Sequence, residues 1–285
     1  MKKITTGLFI GTLIMIAGFA STALANHAWG TYHWARTTSS FVLRIGDNVD
    51  NTWQSYLDTV SSQWSLSDVL DTDIVDGGTN NTKGHKTPKN CVPTDGRVEV
   101  CNESYGNTGW LGVAQIWVSG DHIAQGMVKL NDSYFSSGIY NTPAWRQMVM
   151  CQEVGHTFGL DHQDEGLDNA NLGTCMDYTD DPLRDDGVGG NLTPNAHDYD
   201  ELSLVYARLD SFDSYDSSTG SGDTGSGPGK GHGKGRPLET GAEIDLTNPS
   251  NWGTAIRNDA KGRPDVYMRS LGGDKKVFTF VTWTQ

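Results

Sequence analysis

Residues 152 to 162 read Gln-Glu-Val-Gly-His-Thr-Phe-Gly-Leu-Asp-His, and the offsets of their polar side chains restrict the fold more than any other stretch of the chain. On a helix Gln152 and His156 stand four residues apart, so both project from one face and can grip a single ion. Glu153 lies about 100° further round, near such an ion without having to bind it. Gly159 suits a chain that leaves the helix in a sharp turn, since glycine enters positive φ without steric cost. That turn would return His162 toward the two side chains before it. Gly155 inside the helix costs roughly 1 kcal/mol against alanine, which fits poorly with an ordinary helix end.

With histidine at position 152 these residues would spell H-E-x-x-H-x-x-G-x-x-H. The segment resembles the long zinc signature of the metzincin metallopeptidases, with Gln152 in place of the first histidine. The resemblance implies Gln152, His156 and His162 as metal ligands, Zn2+ as the cofactor, and Glu153 as a general base that returns its proton later. Downstream, Cys175-Met176-Asp177-Tyr178 is similar to the Met-turn of the same clan. There a methionine forms a hydrophobic floor under the metal, here Met176. In the astacin-like and serralysin-like branches a tyrosine two residues later reaches the metal or the oxyanion, which assigns that role to Tyr178. A glutamine carboxamide is neutral, about as long as histidine, and a harder, weaker donor than imidazole. Three outcomes are open at Gln152: a working Gln-His-His set, a weak site that prefers another metal, or an empty one. Losing one good ligand weakens binding by several kcal/mol, against the roughly 10–16 kcal/mol of structural zinc sites. The implied activity is a metal-dependent endopeptidase acting on protein or peptide in extended conformation. The alternative is a catalytically silent protein of the same fold that binds peptides or cell-wall material.

The chain begins with basic Lys2 and Lys3, an apolar run from Leu8 to Ala20, and Ala23-Leu24-Ala25, a small-x-small cleavage pattern. Residues 1–25 therefore read as a bacterial-type signal peptide, the mature chain begins near Asn26, and the protein is secreted. The run is too short for a good membrane span. Net charge is −14, and removing Lys2 and Lys3 takes it to −16. A field of that sign excludes nucleic acid and anionic membrane surfaces as partners. Acidic residues crowd at Asp161, Asp164, Glu165 and Asp168, and again at Asp177, Asp180, Asp181, Asp185 and Asp186. They admit Ca2+ as a second cofactor or are solvated loops; no EF-hand spacing is present. Four cysteines in an exported chain point to disulfides. Of three pairings, the favoured one joins Cys91 to Cys101 within one loop and Cys151 to Cys175 between the zinc helix and the Met-turn. The protein is read as a monomer.

Hydrophobic periodicity orders the rest. Phe41 to Ile45 reads as a strand, Trp53 to Trp64 as an amphipathic helix, and Val69 to Val75 as a second strand. Residues 77 to 95 read as a long polar loop. Arg97 to Cys101, Val113 to Val118 and Ile123 to Leu130 are further strands. A helix starts at Thr142-Pro143 and runs to about Phe158; Thr193-Pro194 opens another, carrying Tyr199, Leu202, Val205, Tyr206 and Leu209 on one face. This order predicts an α+β domain over residues 26–210 that resembles a metzincin catalytic domain, with a twisted mixed sheet. Val113 to Val118 is expected as the open antiparallel edge on which substrate adds as a strand. His122, in the adjoining turn, is not a ligand position of that clan. No long pro-segment is expected between the cleavage site and the first strand. Residues 211–236, with glycine at every second position from Gly225 to Gly235, read as a flexible linker that also holds His232. In residues 237–285, Asp265 to Leu271 and Lys275 to Trp283 form a hairpin turned at Gly272-Gly273-Asp274. An isolated hairpin is marginal, so this segment must dock on the domain or meet a partner.

Overall fold

The computed structural model describes residues 27–79, 91–216 and 248–285. Residues 1–26, where the signal peptide is expected, residues 80–90 of the polar loop and residues 217–247 lie outside the described residues. The chain is α+β, as the periodicity predicts. Its strands are β1 (His33–Trp34), β2 (Phe41–Asn48), β3 (Leu70–Asp76), β4 (Val98–Glu103), β5 (Trp110–Ser119), β6 (His122–Asn131), β7 (Thr254–Asn258), β8 (Pro264–Gly272) and β9 (Lys275–Trp283). Its helices are α1 (Gln54–Trp64), α2 (Asp132–Phe135), α3 (Pro143–His156) and α4 (Ala196–Val205).

All nine strands form one sheet, in the order β3-β2-β4-β6-β5-β9-β8-β7, with β1 added on β6. β2 is parallel to β3 and to β4, and β4 is parallel to β6. β5 is antiparallel to β6 on one side and to β9 on the other. The sequence reading placed β5 at an open edge; instead the C-terminal hairpin pairs with it along its length. The same reading missed β7, which extends the hairpin to three strands. Period-two alternation along β9 serves two cores. Phe278 and Phe280 join the large core under α1 and α3, while Val277 and Val281 join a smaller core with Trp110, Val113, Trp117 and Trp252. The disulfide Cys91–Cys101 closes over this second core, and Cys151–Cys175 ties α3 to the chain downstream.

α3 starts as its sequence dictates. The Thr142 hydroxyl accepts the Trp145 amide, and Pro143 occupies the first turn, where its missing N–H is no loss. Trp64 of α1 is buried against this helix and donates from Nε1 to the Cys151 carbonyl at 3.2 Å. α4 starts later than the Thr193-Pro194 pair suggests. Asn195 is its cap: its side chain accepts from the His197 and Asp198 amides, and Asp198 answers by accepting from the Asn195 amide. The Thr193 carbonyl is used elsewhere, accepting from the Cys175 amide at 3.0 Å. The helix also stops before Leu209, which is exposed. Ser211–Asp216, assigned above to the linker by composition, packs back on the domain: the Ser214 hydroxyl accepts from the Ala35 amide and donates to the Ile123 carbonyl.

Candidate metal and peptide site

The last two turns of α3 are buried on all sides, and two glycines make that possible. A Cβ on Gly155 would stand 2.5 Å from the Met176 sulfur and 2.7 Å from the Trp64 ring. The helical glycine that looked costly in the sequence therefore lets Met176 seat directly under α3. A Cβ on Gly112 of β5 would stand 2.6 Å from a Glu153 oxygen, so this strand approaches the helix only because it carries glycine there. Gly159, at φ +93°, then reverses the chain beneath the Tyr32 carbonyl.

The reversal brings His162 to His156. Their Nε2 atoms are 3.0 Å apart and the rings are nearly perpendicular. His156 Nδ1 faces the Leu160 carbonyl at 2.9 Å, which places the proton on Nδ1 and leaves the Nε2 lone pair toward His162. Gln152 is also buried. Its amide nitrogen donates to the Cys175 carbonyl at 3.0 Å, and its oxygen accepts the Thr282 hydroxyl at 2.7 Å. The anchor at Cys175, itself bonded to Cys151, turns the carboxamide oxygen toward β9. Tyr178 lies over the His162 ring, with centroids 4.1 Å apart. Its hydroxyl is 3.3 Å from the Val281 carbonyl and 3.4 Å from Asp265 Oδ2. Sequence-predicted Gln152, Glu153, His156, His162, Met176 and Tyr178 thus sit around one buried locus.

Both Glu153 carboxylate oxygens are buried and make no hydrogen bond of good geometry. Burial pushes its carboxyl up to about 8, against the pull of the nearby Thr282 hydroxyl and amide and the Ala114 amide. Burial also holds His156 down to about 3 and His162 well below its usual range, so both imidazoles are neutral near pH 7. His156 and His162 thus offer two neutral imidazoles with Nε2 atoms 3.0 Å apart, nitrogen donors of the kind Zn2+ takes, while the Gln152 oxygen is turned to Thr282 and the Glu153 carboxylate is buried with no hydrogen bond of good geometry.

Four participants escaped the sequence reading, all in the C-terminal segment. Arg257 donates from Nη2 to His162 Nδ1 at 3.0 Å and pairs with Asp161, Asp265 and Glu165. Asp265 is fully buried, and three of its contacts are to that guanidinium. Phe280 stacks on His156 at 4.6 Å, and Thr282 binds Gln152. No local motif marks them; the one available signal was that a hairpin unable to stand alone had to dock somewhere.

Most residues of the acidic clusters are occupied by protein partners. Arg257 takes Asp161 and Glu165, Arg184 takes Asp180 and Asp186, and backbone amides take Asp164 and Asp185. Asp177 accepts from the Leu172 amide and the Asn191 side chain. Among the described residues, one metal-capable group lies away from this locus: His33, His122 and Asp210, where each imidazole Nε2 is within 3.3 Å of an Asp210 oxygen. No helix among the described residues is long and apolar enough to cross a membrane. Comparison with protein-family models and with curated proteins gave no match.

Proposed function

We propose that the chain is a secreted metal-dependent endopeptidase of metzincin type, with His156, His162 and Gln152 holding Zn2+ on the α3 face. The observation that carries this reading is the 3.0 Å approach of the two Nε2 atoms at the end of a helix that also bears a buried carboxylate, Glu153, with no hydrogen bond of good geometry. The sheet order supports it, since an antiparallel β5 lies beside the helix that bears the donors. A Zn2+ held there would supply a Lewis acid. Glu153 accepts the proton of the attacking water and returns it to the leaving amine. Tyr178, once released from the Val281 carbonyl, donates its hydroxyl to the carbonyl oxygen as charge develops. With β9 displaced, the backbone of β5 would align an extended peptide by strand addition.

Native mass spectrometry of the mature chain in excess zinc, beside its His156→Ala/His162→Ala variant, tests the site. One zinc bound by the parent and none at this locus in the variant is the expected result; equal occupancy in both overturns it. A second reading, a silent peptide-binding protein, draws on the Gln152 amide, whose nitrogen and oxygen are both engaged by protein groups, the Cys175 carbonyl and the Thr282 hydroxyl. Gln152→His separates the two. Proteolysis that appears only in the variant makes the native protein a binder, whereas activity already present in the parent excludes that role.

A further inference from the structure

The peptide edge of this site is filled by the chain itself. We infer that the C-terminal hairpin is an intramolecular ligand of the cleft, seated on β5 in the place and conformation of a substrate, and that β9 must leave β5 before peptide and metal can enter. The inference rests on reading the cleft as a peptide and metal site.

Three observations converge on it. First, the pairing is strand addition in antiparallel register, from Trp110 opposite Trp283 to Ser119 opposite Lys275. Second, the segment reaches the donors and not merely the apolar surface around them. Thr282 takes the Gln152 oxygen, Phe280 covers His156, Arg257 takes His162, and the Val281 carbonyl faces the Tyr178 hydroxyl. Apolar docking would need none of these polar contacts. Third, Arg257 and a metal ion make opposite demands on His162. With Nδ1 accepting from the guanidinium, the neutral ring carries its proton on Nε2, the atom that faces His156. A metal needs the lone pair at that atom, so the Arg257 contact must yield when an ion binds.

The occupant also describes what can replace it. Gly112 stands opposite Thr282 and Ala114 opposite Phe280, and Gly112 is where β5 nears Glu153. Residues 278, 280 and 282 share one face of β9, where 280 and 282 meet His156 and Gln152 of α3, so the matching ligand is an extended peptide with aromatic or β-branched side chains at alternate positions. An aromatic ring two residues before the position opposite Gly112 would stack on His156. Such a peptide competes with a tethered strand whose effective concentration is on the order of millimolar, so β9 opening limits its entry.

A reversible clamp tests this in the full chain. Gln115 and Thr279 are register partners with side chains in contact at 3.0 Å, so Gln115→Cys with Thr279→Cys would bolt β9 to β5 when oxidised. The probe is a fluorescein-labelled peptide of sequence Lys275 to Gln285, with gelatin as substrate and the parent protein under the same reductant as reference. Without the clamp, β9 amides should exchange hydrogen at least ~100-fold faster than those of β4 and β6, showing opening short of global unfolding. Arg257→Ala should raise the β9 rate further, with β9 still exchanging ahead of β4 and β6. Oxidising the clamp should abolish peptide capture, and reduction should restore it. Exchange of β9 as slow as β4 and β6, or peptide capture indifferent to the clamp, overturns the inference. The two readings fail separately. Clamp-dependent capture without gelatin cleavage keeps the intramolecular ligand and removes the peptidase. Gelatin cleavage equally fast in clamped and open protein keeps the peptidase and removes the ligand.

Discussion

Glu153 and His156 pull stability in opposite directions with pH. In the metal-free chain the Glu153 carboxyl is raised from 4.5 to about 8, so the folded state keeps a proton that the unfolded chain has lost between those values. Its contribution to stability falls as pH rises through that window. His156 is lowered from 6.5 to about 3, so its contribution rises with pH between 3 and 6.5. Glu153→Gln removes the first trend alone. Denaturant unfolding should show the variant gaining on the parent from pH 4.5 to 8, by on the order of 4 kcal/mol. A parallel pair of curves would mean that Glu153 is ionised in the fold. In the metal-loaded, open enzyme the same change should lower turnover by ~100-fold or more with zinc content unchanged. Gly155 gives a second prediction at this scale. Gly155→Ala would force a methyl against the Met176 sulfur and Trp64, and should cost roughly 1–3 kcal/mol despite alanine's better helix propensity. A stabilised Gly155→Ala variant would show that Met176 can move.

The disulfide Cys151–Cys175 shows how an element carries the site. Cys151 precedes Gln152 on α3, and Cys175 supplies the carbonyl that orients the Gln152 amide. With a sequence separation of 24, its loss should cost about 3 kcal/mol by loop entropy. Replacing both cysteines with serine should therefore lower thermal stability and also weaken zinc binding. The same change at Cys91 and Cys101, whose bridge sits over the second core, should affect stability alone. Equal effects on zinc would detach the bridge from the site. α3, its cap and its glycine turn were legible because each depends on offsets within about 20 residues. Strands β2 to β6 were legible for the same reason. The state of β5 was not. Nine of its ten residues are buried, and a continuous apolar run looks the same whether or not its outer edge is paired. Its partner, β9, lies 164 residues away at the Gln115–Thr279 contact, a distance that no local pattern encodes.

Across the whole molecule, one guanidinium joins the C-terminal segment to the site. Arg257 contacts His162 and Asp161 from 95 and 96 residues away, and it also neutralises Asp265, which has no exposure to solvent. The ligand half of the site was readable as a fixed motif, whereas this half arises only when the sheet closes. Breaking a buried pair is costly chiefly because the remaining charge is stranded. Arg257→Ala should therefore destabilise the fold by roughly 3–5 kcal/mol, and Asp265→Ala should do so by a similar amount. The double variant leaves no stranded carboxylate at 265, so its loss should fall short of the two single losses combined by more than ~1 kcal/mol. Asp161 and Glu165 stay behind in that variant, but both are partly exposed and can be hydrated. Denaturant unfolding of the four proteins closes the cycle. Losses that add to within about 0.5 kcal/mol would mean that Arg257 and Asp265 act independently, and the guanidinium would then have to be held by Asp161 and Glu165 instead.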